Sequence, residues 1–167
     1  MKSPLPSDLK SKTVVVTGGA NGIGAAIVDS YARLGANIVI ADLPSASSSA
    51  NKIINSVTGG GRMIFVPADI TNWFSMVDLF KTTKSNFGRV DIVVANAGIM
   101  ETKPFFDFDV DISTGDLKEE PGLARVIDVN LKGTMNSKRI IVCIVAPDLV
   151  RNMHDSYDAQ DRRELLI

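Results

Sequence analysis

The sequence predicts an α/β fold built on a doubly wound parallel sheet. Three observations carry that prediction: four near-continuous β-branched runs, helical patterns between them, and a glycine-rich turn where the first run ends. Near-continuous apolar runs suit strands buried on both faces, whereas a sheet with one wet face alternates.

The first strand is "TVVVT" (13–17), which breaks into the glycine turn. A helix follows, with Ile23, Ile27, Tyr31 and Leu34 on one face and Gly35 where a C-terminal cap belongs. "NIVIA" (37–41) is the second strand. The serines of "LPSASSSANK" (43–52) read as N-caps for a helix running to about Val57, although the composition also suits a linker. "RMIFV" (62–66) is the third strand, and Trp73, Val77, Phe80 and Phe87 mark a helix closed by Gly88. "DIVVA" (91–95) is the fourth. In such a sheet the ligand crevice lies beyond the carboxyl ends of the strands, so function belongs at 17–24, 41–43, 67–71 and 95–100.

Past Met100 the pattern loosens. Phe105, Phe106 and Phe108 interleave with aspartates, which reads as a solvated loop or as a pocket wall. "GLARVIDVNLKGT" predicts a helix, and "RIIVCIVAP" either prolongs it or adds a fifth strand at 139–146. The sheet is therefore incomplete, with about four strands. The division expected is a dinucleotide-binding domain over 1–134 and a divergent tail over 135–167.

The 167 residues suit one domain with a real core. With 45% hydrophobic residues, 22% charged and a net charge of -1, the chain has no broad basic field for nucleic acid or anionic lipid. The longest aliphatic run, Ile140 to Ala146, is too short to span a bilayer, and no export signal is read at the N-terminus. A lone cysteine, Cys143, closes no intrachain disulfide and reads as core packing; a cytoplasmic setting fits. His154 has no partner at metal-ligand spacing and reads as a surface residue, so no metal is expected.

The turn after the first strand has Gly18, then Gly22 and Gly24, a spacing different from the general G-x-G-x-x-G fingerprint. Glycines there let the backbone approach a pyrophosphate, and the helix starting near Gly22 offers unpaired N–H groups and its positive dipole end. Thr17 can hydrogen-bond across the turn. Asp42, 18 residues after Gly24, can accept both hydroxyls of an adenosine ribose. Asp69 can face an adenine amino group or cap a helix at Thr71, while Asn96 can tie strand ends together. Ala97 and Gly98 leave room for a nicotinamide ribose. These residues point to a nicotinamide dinucleotide.

"TGGANGIG", "ADIT", "ANAG" and "VNLKG", in this order over about residues 10–134, resemble the short-chain dehydrogenase/reductase family, whose fold is Rossmann-like. The resemblance implies that Ile23 lies against the cofactor together with Asn21 and Ile70, that Asp42 selects its ribose, and that Asp69 contacts adenine. It places Asn96 between the central strands and Asn130 in a proton relay. Asp42 would repel a 2′-phosphate, and Asn21 is not the basic residue that phosphate-preferring relatives carry, so NAD is favoured and NADP remains possible.

The resemblance also implies a catalytic serine, tyrosine and lysine, the lysine four residues after the tyrosine. Tyr31 lies in the first helix; Tyr157 is followed four residues later by Asp161, which raises a phenol's pKa where lysine lowers it. Neither fits, and the family pattern stops near Thr134. The expectation is a chain truncated before its catalytic groups, a hydride-transferring oxidoreductase for alcohol or carbonyl substrates by descent but impaired as written. The alternative is a dinucleotide-binding module without chemistry. An uncovered "DIVVA" strand would also favour self-association into a homo-oligomer.

Overall fold

The protein is described by a computed structural model, in which residues 9–57, 60–101, 110–118 and 121–145 are described. Four parallel strands form one sheet: β1 (Thr13–Thr17), β2 (Asn37–Asp42), β3 (Met63–Pro67) and β4 (Ile92–Ala95), in the order β3-β2-β1-β4. Between them run α1 (Gly22–Arg33), α2 (Ser47–Ser56), entered through a 3₁₀ turn at Pro44–Ala46, and α3 (Trp73–Phe87). After β4 come α4 (Pro121–Ile127), a π-helical stretch (Asp128–Gly133) and α5 (Thr134–Val145).

Strand alternation divides the core in two. On one face Val14, Val16, Ile38 and Ile40 pack against Val28 and Ala32 of α1 and Ala50 of α2. On the other, Val15, Val39, Ala41 and Val66 meet Met76, Leu79 and Phe80 of α3 and Ile140 of α5. The central strands are buried on both sides, which is why β1 and β2 read as unbroken apolar runs. Each buried valine or isoleucine stabilises the fold by about 1.5–3 kcal/mol. The outer strands β3 and β4 are only half-buried along most of their length.

Register positions the site. Thr17 lies level with Ala41 and Ala95, and Asp42 with Pro67, so all four strands release the chain along one edge. At the opposite edge Asp91 accepts from the Thr13 backbone N–H (2.9 Å), from Lys12 Nζ (3.4 Å) and twice from Arg89, fastening the start of β4 to that of β1.

Several expectations need correction. There is no fifth strand over 139–145: the stretch is helical, because Ser137 and Ile140 fall on a helical face against α3. The serines of 45–49 do not cap α2. Its N-cap is Ala46, no side chain caps it, and the preceding proline turn delivers the chain in helical geometry. Of the faces expected for α1 and α3, Ile27, Tyr31 and Leu34, and Val77, Phe80 and Phe87, do pack on the core, at the flanks of its most buried positions except for Phe80. Gly24, Val28 and Ala32, and Met76, Leu79, Phe80 and Thr83, are the fully buried positions, while Ile23 and Trp73 are exposed. Small residues let α1 lie close to the sheet, and its larger side chains flank the contact. Cys143 is exposed and does not pack in the core. Phe105, Phe106, Phe108, His154 and Tyr157 lie outside the described residues.

Candidate functional site

A cleft of about 660 Å³ opens over the carboxyl edge of the sheet. Its floor is the turn between β1 and α1. Gly18 takes φ +64°, a conformation that L side chains resist, and a Cβ there would stand 2.8 Å from Ala97 Cα. A Cβ on Gly24 would overlap the Gly18 carbonyl oxygen and come within 2.7 Å of Asn96 Nδ2. Two chain segments thus touch backbone to backbone.

The first turn of α1 leaves its N–H groups without intrahelical partners. Asn21 is the N-cap and is extended (φ -145°, ψ 164°), yet its side chain makes no capping bond. By contrast, Asn72 at the head of α3 accepts from Ser75 N at 3.0 Å. The helix that faces the cleft keeps its end open, and the helix that does not face it is capped. Open N–H groups together with a positive dipole end suit an anion. Exposed Ile23 forms apolar wall beside them.

Asp42 closes β2 at the cleft wall. Its Oδ2 accepts from Ala20 N (3.0 Å) and its Oδ1 from Leu43 N (2.8 Å), so the carboxylate also holds the glycine turn against β2. A carboxylate has about four acceptor sites, and two remain for hydroxyls. Asp69 lines the next wall, with Oδ1 accepting from Thr71 N (2.9 Å) and Thr71 Oγ1 (2.7 Å). It caps no helix; Asn72 does that. Ile70 stands beside it, nearly buried.

Behind the floor, β1 and β4 are locked together. Thr17 Oγ1 donates to Val94 O (3.3 Å) and accepts from Asn96 N (3.1 Å) and Ala97 N (3.2 Å). Its hydroxyl therefore braces the neighbouring strand, not its own turn. Asn96 Nδ2 donates to Thr17 O (3.1 Å) and Gly18 O (3.2 Å). Asn96, Ala97 and Gly98 line the cleft; Thr17 stands behind it. Asn130 sits in the π-helical stretch, outside the cleft lining, and exchanges two bonds with Ile99: Oδ1 accepts from its N–H (2.8 Å), and Nδ2 donates to its carbonyl (2.9 Å).

Four cleft residues escaped the sequence reading: Arg125, Asp128, Val129 and Lys132. They recur at helical spacing on one face, the signal that could have found them, but charged residues at such spacing read equally well as a solvated face. Lys132 pairs with Asp128 at 3.6 Å. Among the described residues no group of histidine, cysteine, aspartate and glutamate could hold a metal ion, and no helix is long and apolar enough to cross a membrane.

The donor set, bare amides at a helix start with carboxylates beyond the ends of β2 and β3 on one side, fits a diphosphate carrying a ribose diol and an amino-bearing base. Residues 12–148 match the family described as short chain dehydrogenase. The short-chain dehydrogenase/reductase prx4 of Penicillium roqueforti is 42% identical over 135 residues, covering 80% of this chain and 36% of that protein. The 3-hydroxyacyl-CoA dehydrogenase type-2 of Homo sapiens is 31% identical over 147 residues, covering 88% and 52%. Among solved structures, a 3-ketoacyl-(acyl-carrier-protein) reductase from Brucella melitensis complexed with NADH superposes with a TM-score of 0.67 at 26% identity, covering 82% of this chain and 51% of that one. The chain spans between about a third and a half of the length of these proteins.

Proposed function

Because this chain belongs to the short-chain dehydrogenase family, we propose that its cleft binds a nicotinamide dinucleotide, NAD in preference to NADP, in the service of hydride transfer between nicotinamide and an alcohol or carbonyl carbon. The observation that carries this is the open N-terminus of α1 beside Asp42. The N–H groups of Gly22, Ile23 and Gly24 hold the pyrophosphate, and Asp42 takes the adenosine ribose hydroxyls with its two spare acceptor sites. Asp69 turns its second oxygen to the adenine amino group. Ile23, Asn21 and Ile70 wall the cofactor, Asn96 fixes the floor, and Ala97 and Gly98 leave room for the nicotinamide ribose. When bound, the nicotinamide supplies the hydride donor or acceptor. Asn130 holds the loop after β4 through Ile99, keeping that wall in place.

A 2′-phosphate would meet the Asp42 carboxylate at close range, with no basic residue in the glycine turn to offset it. That is the ground for preferring NAD; the NADH in the Brucella melitensis structure belongs to that protein and is consistent with it.

A second reading is a dinucleotide-binding module without chemistry of its own, a redox sensor or a partner of catalytic relatives; the observation that favours it is the cleft itself, an open amide cradle with Asp42 and Asp69 beside it, which suffices to hold a dinucleotide. Calorimetric titration with NADH, followed by a hydride-transfer assay over a panel of alcohols and ketones, separates the two. Binding with turnover supports the enzyme, binding without turnover the module, and absence of binding defeats both.

A further inference from the structure

The helix that follows β4 holds two cleft walls. Asn130 clamps Ile99 in the loop after β4. Two turns further on, Asn136 Nδ2 donates to the carbonyl oxygen of Ile70 at 3.2 Å, in the loop between β3 and α3. The contact beneath it is close: a Cβ on Gly133 would stand 2.6 Å from Ile70 Cδ1, so any larger residue there would make the Ile70 side chain shift. Ser137 donates to the Gly133 carbonyl (3.1 Å) and turns its polar group into its own helix, leaving Asn136 as the polar link across the contact. Asn136 is not part of the cleft lining, whereas Ile70 and Asp69 are.

We infer that Asn136 is a positioning residue for the adenine end of the cleft: its amide sets the Ile70 carbonyl, and thereby the orientation of the Ile70–Thr71 peptide, whose N–H donates to Asp69 Oδ1 and so aims the carboxylate that reads the base. The inference rests on the dinucleotide reading of the cleft. Asp69 is otherwise held from its own side, by Thr71 on its carboxylate and by Ser75 Oγ accepting from its N–H at 3.0 Å. Without Asn136, the Ile70 carbonyl has no described partner outside its loop, and the Ile70–Thr71 peptide is held only from its N–H side, by Asp69.

The test compares the full chain with its Asn136→Ala and Asn136→Asp variants, the second keeping the shape but setting an acceptor against a carbonyl. Dissociation constants are measured for NADH and for reduced nicotinamide hypoxanthine dinucleotide, which differs by an oxo group in place of the adenine amino group. Circular dichroism confirms that each variant is folded, and Lys138→Ala, exposed on the same helix, serves as control. The wild-type and control chains are expected to prefer NADH, and both Asn136 variants to lose about three- to tenfold of that preference, the size of one hydrogen bond's effect. A merely structural role would weaken both dinucleotides alike. An unchanged preference in either folded variant, or no preference in the wild type, overturns the inference. No binding of NADH by the wild-type chain instead removes the reading of the cleft on which it rests.

Discussion

Two carboxylates show how a single residue serves fold or function according to which edge of the sheet it occupies. Asp42, at the carboxyl edge, has spare acceptor sites facing the cleft. Replacing it with asparagine removes a charge-assisted acceptor worth about 1.5–3 kcal/mol. NADH should then bind about 10- to 100-fold more weakly, while NADPH loses less or gains, as fluorescence titration of both would show. Asp91, at the opposite edge, faces no cleft. Burial by itself raises its pKa, but hydrogen bonds from Arg89, the Thr13 N–H and Lys12 outweigh that and hold it below the ordinary carboxylate value of 3.8. A carboxylate with a depressed folded-state pKa contributes stability above its unfolded value and loses it as pH falls through the folded one. Asp91→Asn should therefore cost about 1–3 kcal/mol at neutral pH and flatten the fall in stability below about pH 4, measured by urea unfolding at several pH values. The Arg33–Asp29 pair, exposed on α1, should contribute only about 0.3–0.5 kcal/mol.

At the scale of elements, the glycine turn is the least replaceable part. Gly24→Ala would push a methyl group into the Gly18 carbonyl and the Asn96 amide. Overpacking of this kind costs about 1–3 kcal/mol or more. We expect thermal unfolding at clearly lower temperature, with NADH binding lost even where the variant still folds. Gly88, in the left-handed region at the end of α3 with open space around it, should cost only about 1–2 kcal/mol on change to alanine. Much of this was legible in the chain. β1 occupies the residues read for it, the glycines after helices α1 and α3 adopt positive φ as expected of end caps, and the cleft falls where the four strands finish. What was not legible depended on neighbours distant in sequence. That Val28 is sealed while Ile27 packs at its flank is decided by how closely α1 lies on the sheet, and whether Asp69 or Asn72 caps α3 by where the chain leaves β3. The Asn130–Ile99 and Asn136–Ile70 links join residues 31 and 66 apart, a separation at which no local pattern operates.

The described residues leave apolar surface uncovered. Among them β4 pairs only with β1, so no described strand covers its other edge. Along the helix from 121 to 145, Leu123, Ile127, Leu131, Met135 and Val142 are all about half exposed, at the spacing of a stripe. α5 packs on α3 and against β4. The chain alone should therefore self-associate. Sedimentation velocity over a concentration series is expected to show species larger than a monomer, reduced by Ile127→Lys or Leu131→Glu. A stable monomer at all concentrations would mean that the edge is covered within the chain.

An anion resting against the open end of α1 is reported most directly by the amide resonances of that end. Titrating the ¹⁵N-labelled chain with NADH, followed by two-dimensional NMR, should shift Gly22, Ile23 and Gly24 most strongly, with saturation at one equivalent and Asp42 moving in step. Unshifted amides at these three positions with millimolar NADH, or shifts confined to another face of the sheet, would contradict it.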